Sequence, residues 1–357
     1  MDDSLIDPET LPLERTSLLP GAGFFTDDED DRDERELEAT LDDADTVVVA
    51  DPDADGLACV AFVREFHDGA TLLPASPHEL DDAIADLAEF APDGVRVYVC
   101  DLCPDERDEL SGLADLVSRA DAVSWFDHHQ WSDEAIDRVE ESGVELVVGD
   151  SDEECSADVT LRSLGELPER FVELAAVTRD HDLWIRDDPR SDDLADYAHW
   201  AEPETYVDVV REHGADLPPD VETFLEAERI EKQRLIDKAV ERAELREIDG
   251  TTVGVTYGRC SQNEVAETLR EQGADAAVVV KPAGSASIRG TEAFERCHEV
   301  AEQVNGGGHP KAAGCKPAIY DDMLDYAHHW TTRGAVAKRV ILDAFRALPE
   351  HSAETDS

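Results

Sequence analysis

The chain has 357 residues, of which 41% are apolar, enough for two cores of ordinary size. Against 31 Lys and Arg stand 87 Asp and Glu, a formal charge of −56. A surface this negative excludes recognition of a polyanion by a broad basic face. The carboxylates are spread along the whole chain rather than gathered in a tail, and regular apolar runs argue against disorder. The better account is adaptation to molar salt, where the Debye length falls to about 3 Å and self-repulsion is screened. Six lysines beside 25 arginines fit that reading. The seven cysteines are odd in number and lack a disulfide-framework spacing. The start, Met1-Asp2-Asp3-Ser4, is not an export signal, and no apolar stretch approaches the roughly 18 residues of a membrane span. A soluble, cytoplasmic protein is expected.

Residues 1–42 are acidic and weakly patterned, a partly disordered lead-in. From 43 to 215, β-branched strands at Thr46–Ala50, 95–100, 122–126 and 144–148 alternate with helical stretches such as 81–90 and 105–118. That alternation predicts an α/β fold with a parallel sheet wrapped by helices, whose ligands gather at the carboxyl ends of the strands. Residues 216–247 hold a connector, one long charged helix over 221–247, with Pro218-Pro219 ahead and Asp249-Gly250 behind. A smaller α/β domain is expected over 248–348, with strands at 252–256 and 276–281, a glycine cluster, and a helix over 321–348. An acidic tail, 349–357, ends the chain.

The chemistry sits at strand ends. Asp51-Pro52-Asp53-Ala54-Asp55-Gly56 follows the first strand, and Cys100-Asp101 ends the next. Asp127-His128-His129 follows the third, and Thr178-Arg179-Asp180-His181-Asp182 lies beyond the fourth. Four carboxylate-bearing turns thus converge on one sheet edge. The first is no calcium loop, because Phe62 stands where the twelfth-position Glu belongs. Carboxylates with imidazoles suit Mn²⁺, Zn²⁺ or Mg²⁺, and a pair of such ions activates water against a phosphoryl centre. Cys100 and Cys103 have zinc spacing, but no second pair completes a site, so they read as structural. Trp184, after Leu183, reads as core, with base stacking as the alternative.

Together these motifs resemble those of the DHH phosphoesterase superfamily. In the second half, Ser287-Ile288-Arg289 and the run from Gly306 to Gly314 resemble the substrate-binding DHHA1 domain of RecJ-like exonucleases and nanoRNases. The likeness covers roughly residues 44 to 320. It implies Asp53, Asp55, Asp101, His129 and Asp180 as ligands of two divalent cations, Mn²⁺ first and Mg²⁺ or Co²⁺ next, with Asp101 bridging and Asp51 a further candidate. Asp127 and His128 belong to the same catalytic signature, and Asp182 rivals Asp180. Many relatives have a His where this chain has Val49. Arg289, Gly306, Gly307, Gly308, His309 and Lys311 are implied at the substrate phosphate; glycines let a backbone approach it.

The implied activity is hydrolysis of phosphodiester bonds in single-stranded DNA or RNA, or in short oligonucleotides. Alternatives are a phosphatase of 3′-phosphoadenosine 5′-phosphate, a cyclic dinucleotide phosphodiesterase, an inorganic pyrophosphatase, or a non-catalytic scaffold in a replication complex. Replication or repair proteins are the macromolecular partners the resemblance implies.

Overall fold

The computed structural model describes residues 30–67, 69–104 and 110–349. The lead-in up to residue 29, the start of the helix expected over 105–118, and the tail from 350 lie outside the described residues. The chain divides into two compact units inside one long helix, after Glu228. No helix among the described residues is long and apolar enough to cross a membrane.

The first unit is built on five parallel strands, β1 Thr46–Ala50, β2 Thr71–Pro74, β3 Arg96–Cys100, β4 Ala122–Asp127 and β5 Glu145–Val148, in the order β2-β1-β3-β4-β5. Alternate residues of each strand serve opposite faces, and both faces are apolar, as a parallel sheet covered on both sides requires. Val47, Val49, Val97, Val99 and Trp125 pack among α1 Asp30–Leu41, α3 Leu80–Phe90, α4 Leu113–Arg119 and α5 Asp133–Glu141. Val48, Ala50, Tyr98, Cys100 and Phe126 face α2 Ala54–Phe66, α6 Ser156–Leu164, α7 Glu169–Asp182, α8 Arg190–Trp200 and α9 Pro203–His213. Strand and helix therefore alternate only as far as β5, and four successive helices then complete one face. Val49 is fully buried in the apolar layer, so the position where many relatives have a His offers no donor here. All seven cysteines are free, and Cys100 is buried.

The second unit begins in α10 Pro219–Glu241. The helix expected over 221–247 stops at Glu241, and Glu244–Ile248 is instead a strand, β6, paired antiparallel to β7 Thr251–Tyr257. Asp249 and Gly250, read as a helix stop, turn this hairpin with φ of 47° and 85°, the pair of left-handed residues that a tight hairpin needs. The sheet continues through β8 Ala276–Val280, β9 Ala286–Gly290, β10 Gly306–His309 and β11 Ala312–Cys315, in the order β10-β11-β9-β8-β7-β6. Only β7 and β8 run parallel. The sheet is flanked by α11 Gln262–Glu271, α12 Cys297–Glu302, α13 Met323–Thr331 and α14 Ala335–Arg346. The single helix expected over 321–348 is split where Arg333 and Gly334 adopt φ of 53° and 70°. The chain is thus α/β with a parallel five-stranded sheet and a second, mixed sheet.

Gly56 sits in the first turn of α2 because a side chain there would put its Cβ 2.2 Å from the Asp51 carbonyl oxygen. The turn that carries Asp53 and Asp55 cannot open without moving β1. Gly56→Ala is expected to cost about 3 kcal/mol of folding stability, the upper range for forced overpacking. Gly307→Ala, whose Cβ meets nothing within 4 Å, should stay within about 0.5 kcal/mol of the parent. Chemical denaturation of both variants checks the pair, and equal midpoints would contradict the packing account.

Candidate metal centre

In a five-stranded sheet of this order, the connections leave β1 and β3 toward opposite faces, opening a crevice at the carboxyl ends of those strands. The chain fills that crevice with acid. Beyond β1, Asp53 caps α2, its Oδ1 accepting the Asp55 and Gly56 amides at 2.9 and 3.0 Å. This places Asp55 in the first turn of α2, where it is 2% exposed. Asp55 accepts the Ser156 amide on one oxygen at 2.7 Å and the Ala157 amide on the other at 2.8 Å. Both donors belong to the first turn of α6, whose amides have no partner within their own helix.

Beyond β3, Asp101 adopts φ 59° and is buried. Its Oδ1 accepts the Ser156 hydroxyl at 2.9 Å. At the end of β4, Asp127 is completely buried. One of its oxygens lies 2.8 Å from His129 Nδ1 and 3.2 Å from Ser156 Oγ, while the other accepts Trp131 Nε1 at 2.6 Å. Ser156 therefore ties three separate turns together. Sequence reasoning missed Ser156, because nothing local reveals contacts made across 55 and 101 residues of chain.

His128 is the centre of the arrangement. It is 6% exposed, and neither ring nitrogen has a hydrogen-bond partner. Its Nε2 lies 3.3 Å from Asp182 Oδ2, itself buried without a partner, and 3.9 Å from both Asp55 Oδ2 and Asp101 Oδ1. Two groups of donor atoms gather within 4.8 Å of one another: Asp101, His128 and His129, and Asp55, His128 and Asp182. His128 is common to both.

Asp180, implied as a ligand, is committed elsewhere. Its carboxylate accepts the Asp187 and Asp188 amides at 2.9 and 3.2 Å and the Ser191 hydroxyl at 2.8 Å. Burial pushes its pKa up, but these three donors outweigh it and the group stays below the ordinary carboxylate range. Asp182, further along the same helix, is the carboxylate beside His128. Asp53 is exposed and Asp51 half-buried, and neither joins the two donor groups.

The electrostatics are those of a site short of positive charge. Burial, then the Asp55 charge, raises Asp101 well above the usual range. Burial, then Asp182 and Asp53, raises Asp55 despite its two amide bonds. Burial also raises Asp182, and burial with Asp53 beside it takes Asp51 to about 6. The hydrogen bond to Asp127 lifts His129 to about 9, while Asp127 is lowered because the bonds from His129 and Trp131 overcome its burial. Among the described residues no Lys or Arg pairs with any of these carboxylates; their ion pairs are with His128 and His129. An unpartnered buried imidazole, an unpartnered carboxylate oxygen and clustered acids without a fixed cation fit a divalent metal site. A pocket of about 190 Å³ lies alongside, lined by Asp53, Asp55, Thr178, His181, Asp182 and His199 among others.

The residues implied at the substrate phosphate form a second surface, on the mixed sheet. The glycine run is an edge strand: Gly306, Gly307 and Gly308 pair with Cys315, Gly314 and Ala313. Cβ atoms at Gly306 and Gly308 would collide with the Gly314 and Ala312 carbonyl oxygens at 2.1 and 2.6 Å. His309, Ala312 and Arg289 occupy one row across the strands, and Gly307, Gly314 and Ser287 the next. Paired residues share a face, so Arg289 and His309 flank a floor without side-chain bulk. Arg289 is held by Asn263 Oδ1 at 3.0 Å and by the Ile288 and Ala313 carbonyls, with no carboxylate partner among the described residues. His309 is exposed. Lys311 is instead engaged by Glu292 and, at 3.1 Å, by Glu295.

Two measurements test this geometry. Calorimetric titration with Mn²⁺ should show Asp182→Ala losing at least about tenfold in affinity, whereas Asp180→Ala keeps its affinity and loses about 1–3 kcal/mol of stability through unpaired amides. The reverse pattern would restore Asp180 as the ligand. The second is pH dependence in EDTA. Asp51, Asp55, Asp101 and His129 all have folded pKa values above their ordinary ones. Each therefore stabilises fully below its ordinary value and loses that contribution as pH rises through the folded one. The metal-free protein should melt at progressively lower temperature from pH about 5 to about 9, less steeply in Asp101→Asn; a melting temperature that rises over this window would contradict the charge excess.

No protein-family model matches the sequence, and no curated protein is detectably similar to it. Solved structures are. An exonuclease RecJ bound to manganese aligns over 94% of this chain and 97% of its own, with 17% identity and a TM-score of 0.54. RecJ from Thermus thermophilus in complex with Mn²⁺ aligns over 91% of this chain and 56% of its own, at 16% identity and a TM-score of 0.49. A pGpG-specific phosphodiesterase from Vibrio cholerae aligns over 83% and 98%, at 13% identity and 0.48. At such identities the likeness is one of fold: the chain shares the fold of the manganese-bound exonuclease RecJ.

Proposed function

We propose that the protein is a metal-dependent phosphodiester hydrolase acting on single-stranded nucleic acid or short oligonucleotides. The observation that carries this reading is His128, an imidazole without a hydrogen-bond partner, buried against Asp55, Asp101 and Asp182. Asp101, His128 and His129 would hold one divalent cation, with Asp55 and Asp182 as the carboxylates available to a second, Mn²⁺ suiting this mixture of oxygen and imidazole donors best. Bound there, such ions acidify water to a nucleophile and stabilise charge on the phosphoryl oxygens.

The chain's own residues supply position. Asp127 holds His129 through Nδ1, leaving Nε2 for other work, and Trp131 holds Asp127 in turn. The Ser156 hydroxyl fixes Asp101, and the opening amides of α6 fix both oxygens of Asp55. Outer partners of this kind set the orientation of ligands and tighten metal affinity. Asp53, one oxygen of which caps α2, adds negative charge that raises both Asp55 and Asp101.

Substrate contact is local because the net charge of −56 leaves no broad basic face. Arg289, free of carboxylates, and the exposed His309 over a glycine floor suit a phosphate group. The unit carrying them acts as a DHHA1-type substrate-binding domain in this reading. The acidic surface belongs to a protein working in the cytoplasm of a halophile. Retention of Asp55, Asp101, Asp127, His128 and His129 in one buried cluster favours an enzyme over a scaffold.

The test is incubation of purified protein with Mn²⁺, in molar KCl, with end-labelled DNA and RNA of several lengths. Cleavage that requires Mn²⁺ and falls more than about 100-fold in Asp101→Ala is expected. His309→Ala and Arg289→Ala should raise KM while leaving Mn²⁺ affinity unchanged. Full activity of Asp101→Ala, or none of the wild type on any oligonucleotide, would sink the proposal.

A further inference from the structure

The loop that leaves α7 carries a ring the metal cluster does not use. Trp184 is 71% exposed and the neighbouring Ile185 is 49% exposed, although Trp184, following Leu183, reads as core in the sequence. The backbone there is strained: Trp184 and Arg186 both adopt left-handed φ, 56° and 59°, a conformation that costs a non-glycine residue on the order of 1 kcal/mol or more. A loose loop would relax; this one is held. The amides of Ile185 and Arg186 both donate to the Asp180 carbonyl at 3.0 and 3.1 Å, and the Trp184 amide donates to the His181 carbonyl at 3.0 Å. The next two amides, of Asp187 and Asp188, donate to the Asp180 carboxylate. Asp180 is thus the staple of the loop, through its main chain and its side chain together.

What the staple presents is an indole with a cation over it. The Arg186 guanidinium lies 4.2 Å from the ring centroid and has no carboxylate partner among the described residues, in a chain where acids outnumber bases 87 to 31. The His181 ring lies 25° from parallel with the indole, centroids 6.3 Å apart. His181 also lines the pocket beside Asp55 and Asp182. Pocket wall, imidazole and indole form one succession, and Trp184 follows closely on Asp182 in the chain.

We propose that Trp184 is a stacking platform for a nucleobase of the substrate, with Arg186 taking the adjoining phosphate. A ring carried on a fixed backbone loses less freedom on binding than one on a loose loop, and any base offers a π-face to it, so the contact is tolerant of sequence. The inference rests on the nucleic-acid reading above and narrows it: a substrate without bases, such as a polyphosphate, gains nothing from an indole at this rim.

The experiment is filter binding of 5′-phosphorus-32-labelled hexanucleotides with uncleavable phosphorothioate linkages, in Mn²⁺, comparing a base-bearing oligomer with its fully abasic counterpart. Trp184→Ala should weaken binding of the base-bearing oligomer roughly 10- to 100-fold. It should leave the weak binding of the abasic one unchanged, and Trp184→Phe should restore most of the loss. Equal losses for both oligomers, no loss for either, or wild-type binding indifferent to bases would overturn the platform; a second protein docking at the exposed ring would produce this indifference. Turnover of the unmodified hexanucleotide is followed in parallel. Absence of turnover together with base-dependent binding refutes hydrolysis and supports the platform.

Discussion

Everything at the proposed active centre depends on one unbalanced interaction, the crowding of carboxylates around a single buried imidazole. Asp55 and Asp101 are almost completely withdrawn from water, and Asp182 lies beside them. Each pays for its burial in a raised pKa, and no Lys or Arg among the described residues relieves them. A fold tolerates such a concentration of like charge only where an external cation completes it or a proton neutralises it. The remainder of the first unit can be read as the scaffold that forces this crowding. The parallel sheet brings β1 and β3 side by side at a crevice, and the opening of α6 reaches across to hold Asp55 and Asp101 through Ser156 and Ala157.

The arrangement also separates two jobs that the sequence places almost side by side. In Thr178-Arg179-Asp180-His181-Asp182, Asp182 turns to the cluster and Asp180 turns away to secure the strained loop that follows. The loop's strain is maintained mainly by the Asp180 carbonyl and carboxylate, with the His181 carbonyl holding the Trp184 amide. Site and loop are therefore mechanically continuous: the helix end that presents a carboxylate also presents the exposed indole beyond it.

Much of this was legible in the sequence. Uninterrupted β-branched runs such as Thr46–Ala50 marked strands buried on both faces, and strand-end acids marked the edge where they converge. Asp127-His128-His129 stood out because adjacent histidines after a buried strand have few structural uses. Other features were hidden for identifiable reasons. Asp180 was ranked ahead of Asp182, whereas the helix's rotation, which no local pattern encodes, turns Asp182 to the crevice. Asp249-Gly250 supports both a helix stop and a hairpin turn, and pairing of β6 with β7 decides for the hairpin. The run Gly306-Gly307-Gly308 carried no strand signal because glycine weakens strands; it is a strand in which close carbonyls from β11 leave no room for Cβ atoms at Gly306 and Gly308. Trp184 looked like core because apolar neighbours usually are, and its exposure follows from backbone geometry no local pattern encodes.

The central claim is that two divalent cations sit around His128, and anomalous diffraction from crystals grown with Mn²⁺ tests it most directly. The account predicts two peaks, one within coordinating distance of Asp101, His128 and His129, the other of Asp55 and Asp182. Peaks at Asp180, or none near His128 at saturating Mn²⁺, would contradict it.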